Sequence, residues 1–198
     1  MERPPTPIEI RDATPADAPR VVAMLSRAFG ADPVFDWVFP NAADRAKRIP
    51  RVFDLFFAGD TPPGFRLVTP DCAAATLWRA PDMPEEHGGL REAWRMWRVA
   101  GSGILRFKRV GDAVEAHFPA IPFWYLHIAG CDPARQGEGL GRAVVQAGLD
   151  RIGNAPVYLE TAKQQNLGFY ESLGFQVREE WSVPGGGPRF WSMLRPSS

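Results

Sequence analysis

Three glycines at alternate positions, Gly137, Gly139 and Gly141, stand in the run Gln136-Gly137-Glu138-Gly139-Leu140-Gly141, just ahead of a stretch with helical spacing of apolar residues. Glycine leaves backbone N–H groups uncovered and lets an anion come close. A helix that starts there adds the favourable field of its positive end, so the run suits a diphosphate.

Several classes of site share this chemistry, and spacing separates them. A P-loop needs G-x-x-x-x-G-K-[ST], and nothing of that form occurs. A dinucleotide-binding βαβ site is the stronger rival, because Glu160 ends the next strand at about the distance where an acid meets a ribose hydroxyl. Against it, Arg142 stands at the third glycine position, and Cys131 to Gln136 separate the strand from the first glycine. The two cysteines, Cys72 and Cys131, form no C-x-x-C pair, and the three histidines suggest no metal site.

Lysine plus arginine equals aspartate plus glutamate at 23 each, so no net field recruits nucleic acid or an anionic membrane. The N-terminus opens no apolar signal segment, and no run approaches the roughly 18 apolar residues of a membrane span. A cytoplasmic protein with free thiols is expected, and its 198 residues suit one domain, 1–198.

The elements that must position the glycine run read in order. Ile8 to Arg11 alternates as a short strand, and Thr14-Pro15-Ala16-Asp17 starts a helix that reaches about Phe29. Asp32 to Pro40 places aromatics between prolines and is expected as a loop, its aromatics either anchoring the core or walling a pocket. Asp44 to Ala58 is a second helix, with Pro50 in a first turn or at a kink. Gly64–Thr69 and Ala73–Trp78 form a hairpin about Thr69-Pro70-Asp71. A helical region follows between Glu85 and Lys108, where Arg91, Arg95, Arg98, Arg106, Lys108 and Arg109 read as a solvated face ahead of a contact for an anionic ligand.

Phe123 to Gly130 is a central strand ending at Asp132-Pro133. Arg142 to Ile152 is helical and Pro156 to Glu160 is a strand, so the glycine run lies in a β-α-β unit. A short helix from Asn166 to Leu173 stops at Gly174, and strands 175–183 and 189–194, joined by Pro184-Gly185-Gly186-Gly187-Pro188, close the sheet. The class is α+β.

Ala129-Gly130-Cys131-Asp132-Pro133-Ala134-Arg135 followed by Gln136 to Gly141 resembles the coenzyme A-binding motif of the GNAT acetyltransferases, whose pattern [QR]-x-x-G-x-[GA] is met by Gln136, Gly139 and Gly141. Phe169-Tyr170-Glu171-Ser172-Leu173-Gly174-Phe175 resembles a second signature of the family. Trp124 to His127 and Tyr158 to Thr161 look most like the branch that holds puromycin N-acetyltransferase. The close resemblance covers about 123–175.

The resemblance implies a GNAT fold, with a mixed, mostly antiparallel twisted sheet flanked by helices. It implies acetyl-coenzyme A as acetyl donor, held by Gln136, Gly137, Glu138, Gly139, Leu140 and Gly141, by the backbone of Ala129, Gly130 and Cys131, and by Asn166, which is also an ordinary N-cap candidate. Tyr170 takes the general acid's position, with helix packing as its other reading. Glu160 is the first choice of base, ahead of His117 and His127. Transfer to the amine of a small molecule is direct, and Cys131 is a small buried side chain rather than a nucleophile. A peptide or protein amine, and a module that binds acyl-coenzyme A without turnover, are the alternatives; a homodimer is compatible with all three.

Overall fold

A computed structural model describes residues 7–60, 62–81 and 97–197. Its elements are β1 (Arg11–Asp12), α1 (Ala18–Ala28), α2 (Pro33–Val38), α3 (Ala42–Gly59), β2 (Phe65–Val68), β3 (Ala74–Arg79), α4 (Ile104–Ala116), β4 (Trp124–Cys131), α5 (Leu140–Ile152), β5 (Val157–Thr161), α6 (Leu167–Glu171), β6 (Gln176–Ser182) and β7 (Arg189–Arg195). The strands form one seven-stranded sheet in the order β1-β2-β3-β4-β5-β7-β6. Every neighbouring pair is antiparallel except β4 and β5. This is the α+β architecture expected.

A two-sided core explains why β3 reads as unbroken burial rather than alternation. On one face Trp78 and Leu126 pack with Val144, Val145 and Leu149 of α5 and with Tyr170 and Phe175. On the other, Ala75 and Leu77 pack with Val21 and Leu25 of α1 and with Val52, Phe53 and Phe57 of α3. Helix α5 lies so close to β3 that a Cβ on Gly148 would come within 2.2 Å of Trp78 Cζ2.

Two expectations change. The segment 32–40 is not a loop: Asp32 accepts from the Val34 N–H, Pro33 needs no donor at the first helical position, and the short helix α2 follows. It sends Phe35 and Phe39 into the core, so those two rings anchor rather than line. Pro50 lies inside α3, past its first turn. Half of the helical region expected from Glu85 to Lys108 lies outside the described residues; of the rest, 97–100 are helical and α4 continues past Lys108 to Ala116.

No helix among the described residues is long and apolar enough to cross a membrane. Cys72 and Cys131 are free.

Candidate functional site

The site lies where the sheet's one parallel pair parts. Strands β4 and β5 share two registers, Trp124 with Val157 and Tyr125 with Tyr158. Past Tyr125 the strands diverge, and β4 keeps its partners on the other side only, Ala129, Gly130 and Cys131 lying opposite Thr76, Ala75 and Ala74 of β3. The β5-facing backbone of those residues is therefore open to an extended ligand, in the way an edge strand is.

Strand β4 is also bulged. Leu77 lies opposite Ile128 while Trp78 lies opposite Leu126, so His127 is the extra residue. A bulge re-aims a side chain, and here it brings His127 to the face of α3, its ring 4.6 Å from that of Phe56 and 5.4 Å from that of Tyr125.

At the C-terminal end of β4 the chain turns through Asp132, which accepts from the Ala134 N–H and pairs with Arg27 at 2.6 Å. Arg135 spans Asp71 at 2.9 Å and Glu138 at 2.5 Å, so the side chain of Glu138 braces the loop. Gln136 to Gly139 are exposed. Gly139 is the N-cap of α5 with φ +80, a left-handed conformation that favours glycine. The first N–H groups of α5 have no acceptor within the helix, and the Cys131 thiol lies 3.7 Å from the Asp132 carbonyl. Burial pushes the Cys131 thiol up, which suits a packed thiol rather than a nucleophile.

Beside the opening, the Tyr125 hydroxyl donates to Glu160 Oε1. Glu160 Oε2 is buried and has no partner among the described residues. Burial pushes the Glu160 carboxyl up to about 7, against the hydrogen bond of Tyr125 and the charge of Arg79, which pull it down. Tyr170 is buried in α6, its phenol pushed up to about 12 by burial and then by the charge of Glu160. The structure thus brings Glu160 and Tyr170 within electrostatic reach of each other, one able to lose a proton near neutral pH and the other holding one firmly.

Asn166 lies at the N-cap position of α6, but its side chain does not cap. Its Nδ2 donates to Thr161 Oγ1 at 3.1 Å. His117 ends α4, its Nδ1 within 2.6 Å of the Ala113 carbonyl, its Nε2 3.8 Å from Glu179 and its ring stacked on Trp181 at 4.1 Å. Sequence reasoning missed Tyr125, Asp60 and Arg79. Asp60 is fully buried, with its carboxylate between His127 Nδ1 and Arg79 Nε, each at 2.5 Å. Its only sequence signal is an acid at the end of a helix. Among the described residues no cluster of side chains could hold a metal ion.

No family model matches the chain. A stretch of 95 residues, 46% of the chain and 29% of the relative, is 33% identical to the mycothiol acetyltransferase of Catenulispora acidiphila. A stretch of 58 residues, 28% of the chain and 37% of the relative, is 45% identical to the N-alpha-acetyltransferase RimI of Mycobacterium tuberculosis. The chain spans about a third of the length of the curated relatives it matches.

Among solved structures, a Corynebacterium glutamicum protein described as histone acetyltransferase HPA2 and related acetyltransferase superposes with a TM-score of 0.77 at 24% identity, covering 98% of each chain. The ribosomal-protein-S18-alanine N-acetyltransferase of Escherichia coli follows the fold with a TM-score of 0.54 at 19% identity, over 96% of this chain and 94% of its own. These matches bear on the superfamily and do not single out the puromycin N-acetyltransferase branch. Its fold is thus the GNAT acetyltransferase fold, shared end to end with acetyltransferase structures, and part of its sequence is similar to acetyltransferase enzymes.

Proposed function

We propose that the chain transfers the acetyl group of acetyl-coenzyme A directly to an amine of a small molecule. The observation that carries this reading is the opening between β4 and β5, with Glu160 and Tyr170 beside it and the glycine loop at the end of β4. The donor fits that frame: the loop is exposed, and even a Cβ on Gly137 would meet nothing within 4 Å, so a diphosphate has room against the backbone.

When bound, acetyl-coenzyme A supplies an activated thioester carbonyl. The chain's residues supply the rest. An amine attacks only when neutral, and Glu160, with its pKa near 7, takes a proton from the ammonium form directly or through water. Tyr170, protonated at neutral pH, gives its proton to the departing sulfur. Cys131, its thiol pushed up by burial, forms no acyl intermediate. The backbone of Ala129, Gly130 and Cys131 pairs with the extended arm of the donor.

A small-molecule acceptor is favoured by the mycothiol acetyltransferase relatives, and a peptide amine by the RimI relative. The test is calorimetric titration with acetyl-coenzyme A, coenzyme A and NAD, followed by mass-spectrometric detection of acetylated product from a panel of small amines and short peptides. Binding of acetyl-coenzyme A with turnover of small amines supports the reading. Turnover of peptides alone moves the acceptor class, binding without turnover on any amine favours a non-catalytic module, and binding of NAD alone removes the reading.

A further inference from the structure

The proposed reaction leaves a proton unassigned. Two protons leave the acceptor nitrogen, one from the ammonium before attack and one as the amide forms. Glu160 takes one, and a carboxylate that holds that proton takes no second. A second acceptor has to be open to the cleft.

His127 meets that requirement. The bulge in β4 turns it to the side of Tyr125. Nδ1 faces the carboxylate of Asp60 at 2.5 Å, and an ionised carboxylate only accepts, so Nδ1 carries the hydrogen and Nε2 the lone pair. Nε2 has no hydrogen-bond partner among the described residues, and the side chain keeps 10% of its surface exposed.

The groups facing the ring are Asp60 from the end of α3, Arg79 from β3 and Tyr125 from β4, with apolar Phe56 of α3 against it. The field of Arg79 also reaches Glu160 on β5, so both acids and the imidazole belong to one electrostatic cluster. Burial holds the imidazole pKa down, Asp60 opposing it, so the ring is uncharged at neutral pH and free to accept. Asp60 stays ionised despite its burial, because His127 and Arg79 both bond it.

We propose that His127 is a catalytic residue of this reaction, its Nε2 accepting the second proton from the acceptor nitrogen, with Asp60 as the positioning residue that fixes the ring. The proposal rests on the acetyltransferase reading above. The protons balance: two leave nitrogen, one to Glu160 and one to His127; Tyr170 gives one to sulfur and is reprotonated by one of those two; the other is released to solvent.

Two measurements test it on the full chain. With 15N-labelled histidine, His127 is expected at pH 7 as the Nδ1–H tautomer with bare Nε2, disturbed in Asp60→Asn. A protonated Nε2 in the wild type overturns the proposal whatever the activity. With acetyl-coenzyme A and the amine panel, His127→Ala is expected to lose about 10- to 100-fold in kcat at unchanged donor affinity, and added imidazole is expected to restore about tenfold. His127→Gln, which keeps bulk and polarity, is expected to stay as slow as His127→Ala without imidazole. An undiminished kcat in either variant, or a loss that imidazole leaves untouched while Gln recovers it, marks His127 as structural. Failure of the wild type to bind acetyl-coenzyme A removes the function and the proposal together, whereas normal wild-type turnover with an indifferent His127 variant removes the proposal alone.

Discussion

Tyr125 and Glu160 meet by hydrogen bond immediately beside the last register that β4 and β5 share, so the phenol that closes the seam also holds the carboxylate at the opening. The bond lowers the pKa of Glu160 against the upward push of burial. Tyr125→Phe is expected to let that pKa climb above about 7 and to move the acid limb of kcat/KM to higher pH by about one unit, read from a pH–rate profile. An unmoved limb would show that Glu160 is not the titrating base.

The same carboxylate makes stability depend on pH. Its folded pKa of about 7 lies above the ordinary value of 4.5, so the folded state holds the proton more tightly than the unfolded chain. That contribution is fully present below the unfolded pKa and is lost as pH rises through the folded one. Glu160→Gln, uncharged at every pH, is expected to be more stable than the wild type at pH 8, by on the order of 3 kcal/mol, with the advantage shrinking towards pH 5. Urea denaturation at both pH values checks it.

Tyr170 and Gly139 separate chemistry from binding. Tyr170→Phe removes the proton donor and is expected to lower kcat by about 100-fold with the affinity for acetyl-coenzyme A unchanged. Gly139→Val places a branched side chain at φ +80, where it is strained by more than about 1 kcal/mol, and crowds the loop. Calorimetry is expected to show donor binding weakened in the second variant and intact in the first; equal losses in both would undo the division of roles.

Gly148 sets how closely α5 approaches the sheet. Gly148→Ala forces a Cβ to within 2.2 Å of the fully buried Trp78, whose indole N–H is already committed to Thr76. The cost is expected to be about 1–3 kcal/mol despite alanine's better helix propensity, seen as a lowered midpoint in urea. A neutral or stabilising effect would mean that the indole has room to move.

The part of the site that a local pattern specifies was legible in the residues. Glycines ahead of a helical stretch announced the loop, and the strand-helix-strand order placed Glu160 at the end of β5. The Asp60–His127–Arg79 group was not legible. Its members come from α3, β4 and β3, and only a bulge at His127 turns the imidazole towards the acid. A bulge arises from pairing between strands, which no short window of sequence records. The helix α2 was missed because prolines were weighed as breakers, although a proline at the first helical position after an aspartate cap starts a helix. Asn166 shows the reverse error: it occupies the cap position and bonds Thr161 instead.

The parting of β4 and β5 has a mechanical side. Two registers and the rings of Phe118, Phe123, Tyr125 and Tyr158 join one half of the sheet, β1 to β4, to the other, β5 to β7. Backbone pairing thus joins the halves at one end only, while the core of Leu126, Leu159 and Tyr170 and the pair of Lys163 with Asp32 hold them elsewhere, like a clothes-peg with its spring in place. The proposed donor, lying extended in the mouth, would supply the rungs that the protein omits and so add backbone ties between the two jaws.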